Sequence, residues 1–135
     1  MKKQLLSGKN KTIPFIPFYI RRAGGWTIPT AYDIFRDKKS LIIFLKGAYI
    51  DSKLLVYYDN SDLLSNYTNS YCCCPNDSYV MNQWATDLNI KNIDMLPDGN
   101  KEFFDYLDLL EKETPIRQKV EISNSEIKYL GDVSV

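Results

Sequence analysis

The chain has 135 residues, 44% hydrophobic and 25% charged, the usage of one globular domain able to bury a core without disulfide or metal staples. Its 17 basic and 17 acidic residues cancel, so it lacks the electrostatic footprint of a nucleic-acid binder, and no apolar run approaches the roughly 20 residues of a membrane span. The absence of histidine removes histidine-based triads, histidine-ligated metals and imidazole acid–base catalysis.

Residues 1–12 are polar and basic and read as a loose start. The segment "MKKQLLSGKNK" is not followed by an uninterrupted apolar stretch, so no secretory leader is read there. "IPFIPFYIRR" (13–22) is extended because its two prolines disfavour helix. "AGGWTIPT" (23–30) reads as a hairpin turn with a short strand; Gly24-Gly25 is a turn and not a phosphate loop, since no helix opening with Gly-Lys-Ser/Thr follows. "AYDIFRDKK" is a short helical turn. "SLIIFLKG" (40–47) is β-branched and aromatic, the composition of a strand covered on both faces.

"SKLLVYYDNSDLLSNY" (52–67) has helical character interrupted at Asp59, Asn60 and Ser61. "NSYCCCP" (69–75) is a second apolar strand ended by proline. The spacing of its thiols, Cys72, Cys73 and Cys74, fits no zinc pattern. Side chains alternate along a strand, so Cys72 and Cys74 face one way and Cys73 the other. Contiguous unpaired thiols suit a reducing, cytoplasmic setting. Asp77 is a good N-cap for "SYVMNQWATDLN", in which Val80, Trp84 and Leu88 form one helical stripe. "MLPDGN" (95–100) reads as a turn, and Asn100 as the cap of a helix over "KEFFDYLDLLEK", where Phe103, Leu107 and Leu110 share a face. "PIRQKVEISNSEIKYLGDV" reads as a final hairpin around Asn124 and Ser125. Strands alternating with helices, closed by an antiparallel hairpin, predict an α/β domain with helices over a mixed sheet. Trp26 and Trp84 are expected in its core.

Three features occur together in "YCCCPNDSYVMNQWATDLNIKNIDMLPDGNKEF" (71–103). A strand ends in a cysteine-containing segment followed by Asn76-Asp77, the helix "SYVMNQW" comes next, and then "NIDMLPDGNKEF". In this combination and spacing the segment resembles the redoxin domain of type-five-like peroxiredoxins. The likeness extends upstream through "IPFYIRRAGGWTIPTAYDIFRDKKSLIIFLKGAY" and downstream to "RQKVEISNSEIKYL", about residues 13–132, with two shortened stretches. It implies a single redoxin domain over 13–135 with a thioredoxin-like three-layer fold, a central mixed sheet and a truncated C-terminal end. The family reduces hydroperoxides with a cysteine thiolate.

The family's active-site pattern is Pro-x-x-x-Thr-x-x-Cys. Anchored on Gly47 and Ala48, its positions here are Lys46, Ile50 and Lys53, and all three depart from it. No cysteine occurs before position 72, so the departure does not depend on the anchoring. Arg117 aligns with an arginine that supports the family site. An ammonium has no nucleophilic lone pair, and a cation in the first turn of a helix is unfavourable by about 0.3–1 kcal/mol. Either the helix is broken there, or Lys53 points to solvent. Lys46 and Lys53 read as solvated lysines, or with Arg117 as a small basic pocket; Arg117 reads alternatively as solvated or paired to a carboxylate. The three cysteines read as small buried hydrophobes or as a relocated thiol site. Three functions stand: a peroxiredoxin-like protein without peroxidase activity that binds a protein partner, a second copy of itself or a small ligand; a thiol oxidoreductase using Cys72–Cys74; or a structural subunit of a larger assembly. None of them implies a metal, a cofactor, nucleic acid or a membrane.

Overall fold

The computed structural model describes residues 12–133; the N-terminal residues 1–11, read above as a loose start, lie outside the described part. A five-stranded mixed sheet organises the chain, in the order β5-β4-β3-β8-β9. Strand β3 (Ser40–Phe44) is buried at every residue and lies between β4 (Asn69–Cys74), which runs parallel to it, and β8 (Gln118–Ser123), which runs antiparallel. β5 (Asp94–Pro97) adds in parallel beyond β4, and β9 (Glu126–Gly131) closes the other edge as the hairpin partner of β8. The near-continuous apolar runs of β3 and β4 thus occupy the two strand positions with helices over both faces.

Alternation of side chains sorts the core into two layers. On one face Ile42, Phe44, Tyr71 and Cys73 meet α1 (Ala31–Phe35) and α4 (Glu102–Tyr106). On the other, Leu41, Ile43, Cys72 and Cys74 meet α2 (Ser52–Asp59) and α3 (Ser78–Asp87). This is the three-layer thioredoxin-like arrangement expected from the sequence. Helix α3 starts where Asp77 accepts from the Val80 N–H at 2.9 Å, satisfying one of the helix's orphan donors. Its buried stripe is Ser78, Met81 and Trp84, while Val80 and Leu88 pack at its margin, partly buried. The β8–β9 turn falls on Asn124 and Ser125, with φ of 53° and 63°, the paired left-handed residues of a two-residue hairpin.

Three expectations are corrected. Met95, Leu96 and Pro97 belong to edge strand β5, and the turn begins only at Asp98; proline is tolerated there because an edge strand leaves N–H positions unpaired. Helix α4 stops at Tyr106, and Asn100 does not cap it. Instead the buried Asp98 carboxylate accepts from the Phe103 and Phe104 N–H groups at 3.1 and 2.9 Å. Leu110–Glu111 (β6) then pairs with Thr114–Pro115 (β7) as a small hairpin. The third concerns Trp26. It lies in the two-stranded ribbon formed by β1 (Ile20–Arg22) and β2 (Gly25–Thr27) and is 49% exposed, because that ribbon stands apart from the main sheet. Trp84 is fully buried, as expected.

Candidate functional site

The segment between β3 and α2 is a tight turn at the carboxyl end of the sheet. The Ile50 and Asp51 N–H groups both return to the Gly47 carbonyl, at 3.2 and 3.4 Å. The Ala48 N–H donates to Asn76 Oδ1 at 2.9 Å, fixing the turn to the start of α3. Tyr49 adopts φ of 67°, and its hydroxyl donates to Asp87 at 2.6 Å. That bond pushes the Tyr49 phenol up and holds the Asp87 carboxyl below its ordinary value. A side chain at Gly47 would bring its Cβ to 2.9 Å from Ile50 Cδ1, so the turn closes over this residue. Helix α2 is intact and anchored from beneath by Trp84, whose indole N–H donates to Ser52 Oγ at 2.9 Å.

Lys46, Ile50 and Lys53 all lie exposed around this turn. Of the two alternatives for Lys53, the structure takes the second: the helix forms and the lysine faces solvent. Arg117 is not a solvated strand residue. It precedes β8 and donates from Nε and Nη2 to Asp51 Oδ1, at 3.0 and 2.7 Å. Asp51 is 4% exposed, and its other oxygen accepts from the Lys46 N–H at 2.8 Å. The structure therefore gathers Lys46, Ile50, Lys53 and Arg117 around one turn, with a buried carboxylate at its centre in place of an open basic pocket. Sequence reasoning missed Asp51. Its signal was an acidic residue in the turn just before the helix, together with an arginine expected at the same site; read alone, an aspartate there suggests only a helix cap.

The three thiols sit one strand away, all buried and none in a disulfide. Cys72 and Cys74 point to the same layer with their sulfurs 3.8 Å apart, whereas Cys73 faces the opposite layer. Burial, reinforced by the Asp98 charge, pushes the Cys73 thiol well above its ordinary value. The Cys74 thiol is likewise pushed up, first by its hydrogen bond with Cys72, then by burial, and to a lesser degree by the charge of Asp51. Both effects disfavour the thiolate that nucleophilic chemistry needs. Among the described residues no group of three or more His, Cys, Asp or Glu side chains could hold a metal ion, and no helix is long and apolar enough to cross a membrane.

No family model matches the chain. Among curated proteins it is 29% identical over 110 residues to the hybrid peroxiredoxin hyPrx5 of Haemophilus influenzae, covering 77% of this chain and 46% of that one. It is 30% identical over 86 residues to a peroxiredoxin of Rhizobium etli, covering 58% and 47%. The chain thus spans about half the length of the curated relatives it matches. Among solved structures, the reduced Prx3 of Vibrio vulnificus in complex with hydrogen peroxide superposes with a TM-score of 0.80 at 23% identity, over 94% of this chain and 87% of that one. The Plasmodium falciparum antioxidant protein, a 1-Cys peroxiredoxin, gives 0.76 at 26% identity, over 89% and 80%. The chain is thus similar in sequence to several proteins named peroxiredoxin, and it shares the thioredoxin-like fold of solved peroxiredoxin structures.

Proposed function

We propose that this chain is a peroxiredoxin-like protein without thiol peroxidase activity, in which Lys53 occupies the position of the family's reactive cysteine, and that its role is to bind a partner. The observation that carries the reading is the Arg117–Asp51 pair. Peroxide reduction needs a thiolate whose negative charge is stabilised by a cation close by. Here the arginine aligned with that duty is already satisfied by the buried carboxylate of Asp51, at the N-cap position of α2 two residues before Lys53. Ile50 offers no hydroxyl to orient a peroxide, and the ammonium of Lys53 offers no lone pair. A cytoplasmic setting fits three thiols that carry no disulfide.

The second reading, turnover by the Cys72–Cys74 pair, has the 3.8 Å sulfur separation in its favour. Against it stand the full burial of both sulfurs and the raised Cys74 thiol. Peroxide consumption in the presence of dithiothreitol separates the two, comparing the native chain with the variant carrying Cys72→Ser, Cys73→Ser and Cys74→Ser. Equal, background rates are expected. Rapid turnover by the native chain that vanishes in the triple variant would replace the first reading with the second.

A further inference from the structure

A cleft of about 340 Å³ opens at the amino ends of β4 and β5, on the face of the sheet that α1 covers. Tyr71 and Asp94 are direct partners in the parallel register of these strands, so their side chains stand side by side on that face. Arg22 from β1 and Lys38 from the turn after α1 line the same cleft, and its apolar lining includes Ile20, Ile34 and Leu96. Opposite charges therefore share one small space, yet they do not meet. Neither Arg22 nor Lys38 forms an ion pair with Asp94 or with any other carboxylate among the described residues. The charges around the cleft are engaged elsewhere: Arg36 with Asp37, Lys39 over the Tyr67 ring and Arg21 over the Trp26 ring.

Tyr71 adds a second, independent observation. It is 6% exposed, and its ring packs edge-on against Phe35 at 5.3 Å. Its hydroxyl makes no hydrogen bond among the described residues, whereas buried polar groups are ordinarily bonded. Burial, and then the Asp94 charge, push the phenol up to about 12, with Arg22 acting in the opposite direction. At neutral pH the hydroxyl keeps its proton and can donate it to an acceptor in the cleft.

We propose that this cleft binds a free α-amino acid with an apolar side chain, the carboxylate held by Arg22, Lys38 and the Tyr71 hydroxyl, the ammonium by Asp94, and the side chain by Ile20, Ile34 and Leu96. The site lies apart from the Lys53 turn and goes beyond the role proposed for it. A ligand of one sign leaves part of the lining unmet. Phosphate or a simple carboxylate would sit beside the Asp94 charge, and a metal ion or plain amine beside two cations. An uncharged apolar molecule would desolvate all three charges and pair none of them. A zwitterion meets both signs at once through charge-assisted hydrogen bonds, for which the planar guanidinium suits a carboxylate. The volume is at the lower end of the roughly 300–1,000 Å³ of small-molecule sites, enough for one amino acid and too little for a folded partner.

Isothermal titration calorimetry of the full chain at neutral pH tests this. The probes are L-leucine, N-acetyl-L-leucine, which keeps only the carboxylate, L-leucinamide, which keeps only the ammonium, and glycine, which keeps both charges without the apolar body. Leucine should bind saturably with a Kd below about 1 mM, and the other three at least about tenfold more weakly. Tyr71→Phe keeps the ring against Phe35 and should weaken leucine binding about fivefold to tenfold. Asp94→Asn should cancel the advantage of leucine over N-acetyl-leucine, and Arg22→Gln with Lys38→Gln its advantage over leucinamide. Arg22 and Asp94 are exposed and Lys38 partly so, so these variants should fold, with far-ultraviolet dichroism unchanged. No saturable binding of leucine up to about 10 mM would overturn the proposal. So would N-acetyl-leucine, leucinamide or glycine bound as tightly as leucine, or leucine affinity unmoved by both Tyr71→Phe and Asp94→Asn. None of these readings involves peroxide, so the proposal and the absence of peroxidase activity fail separately.

Discussion

Arg117 and Asp51, 66 residues apart in the chain, share one carboxylate oxygen through two guanidinium donors at 3.0 and 2.7 Å. The pair joins the turn before α2 to the start of β8. The Asp51 side chain is 3% exposed and that of Arg117 36%. Removing one partner of a fully buried pair costs about 3–5 kcal/mol. The Arg117 side chain already reaches water, so Asp51→Ala is expected to cost less, about 2–3 kcal/mol once this screening is included. Urea unfolding measures the difference, and coincident midpoints for the variant and the native chain would show that the pair contributes no stability.

Lys53→Cys puts a sulfur at the position proposed to match the family's reactive cysteine but leaves Arg117 engaged and position 50 without a hydroxyl. The new thiol should react readily with an aromatic disulfide reagent, since position 53 is exposed. Its peroxide turnover should rise less than about tenfold over background, because catalysis of this kind depends on preorganised groups acting together. Combining Lys53→Cys with Ile50→Thr and Asp51→Ala should exceed the single variant. Efficient turnover by Lys53→Cys alone would show that the Arg117–Asp51 pair does not hold the site inactive.

The native thiols should be silent. Cys72, Cys73 and Cys74 have no solvent exposure, and the raised Cys73 and Cys74 thiols keep the thiolate scarce. A neutral-pH titration with the same reagent should label none of them in the folded chain and all three in denaturant. A fast-reacting thiol in the folded chain contradicts this.

Burial raises the Asp98 carboxyl above its ordinary value, although its bonds from Phe104 and Phe103 partly oppose the shift. The ionised form is therefore disfavoured in the folded chain. The stability this group contributes is complete below the unfolded carboxyl's range and is lost as pH rises through the folded value. Asp98→Asn keeps an acceptor for α4 and cannot ionise. Relative to the native chain it should gain stability between about pH 3 and pH 7. A stability difference that stays constant across that range would contradict the assignment.

The two central strands could be read from the sequence because both of their faces are apolar, and α3 because Asp77 and its stripe agree. The Asn124–Ser125 turn was legible for the same reason, polar residues interrupting two strand patterns. Helix α4 misled because Leu107 satisfies the helical spacing and is fully buried, yet the chain reverses just after it. Asp108, Lys112 and Glu113 take left-handed φ of 59°, 51° and 67°, and lysine and glutamate are not residues that announce such turns. Trp26 was placed in the core on hydrophobicity alone, which says nothing of a ribbon standing outside the main sheet. Asp51 was illegible because its meaning depends on Arg117, which only the folded chain brings to it.

The packing of three thiols on both faces of β4 makes the lifetime of this protein under oxidative stress a matter of kinetics. An oxygen-bearing sulfur in either layer would force a polar, larger group into close-packed surroundings, and sulfinic and sulfonic acids are not reversed by ordinary thiols. While the sheet is closed, oxidant has no path to the sulfurs. Damage must then wait for an opening of β4. Where reclosing outpaces the chemistry, its rate follows the population of the open form, and where oxidant is abundant it follows the rate of opening itself.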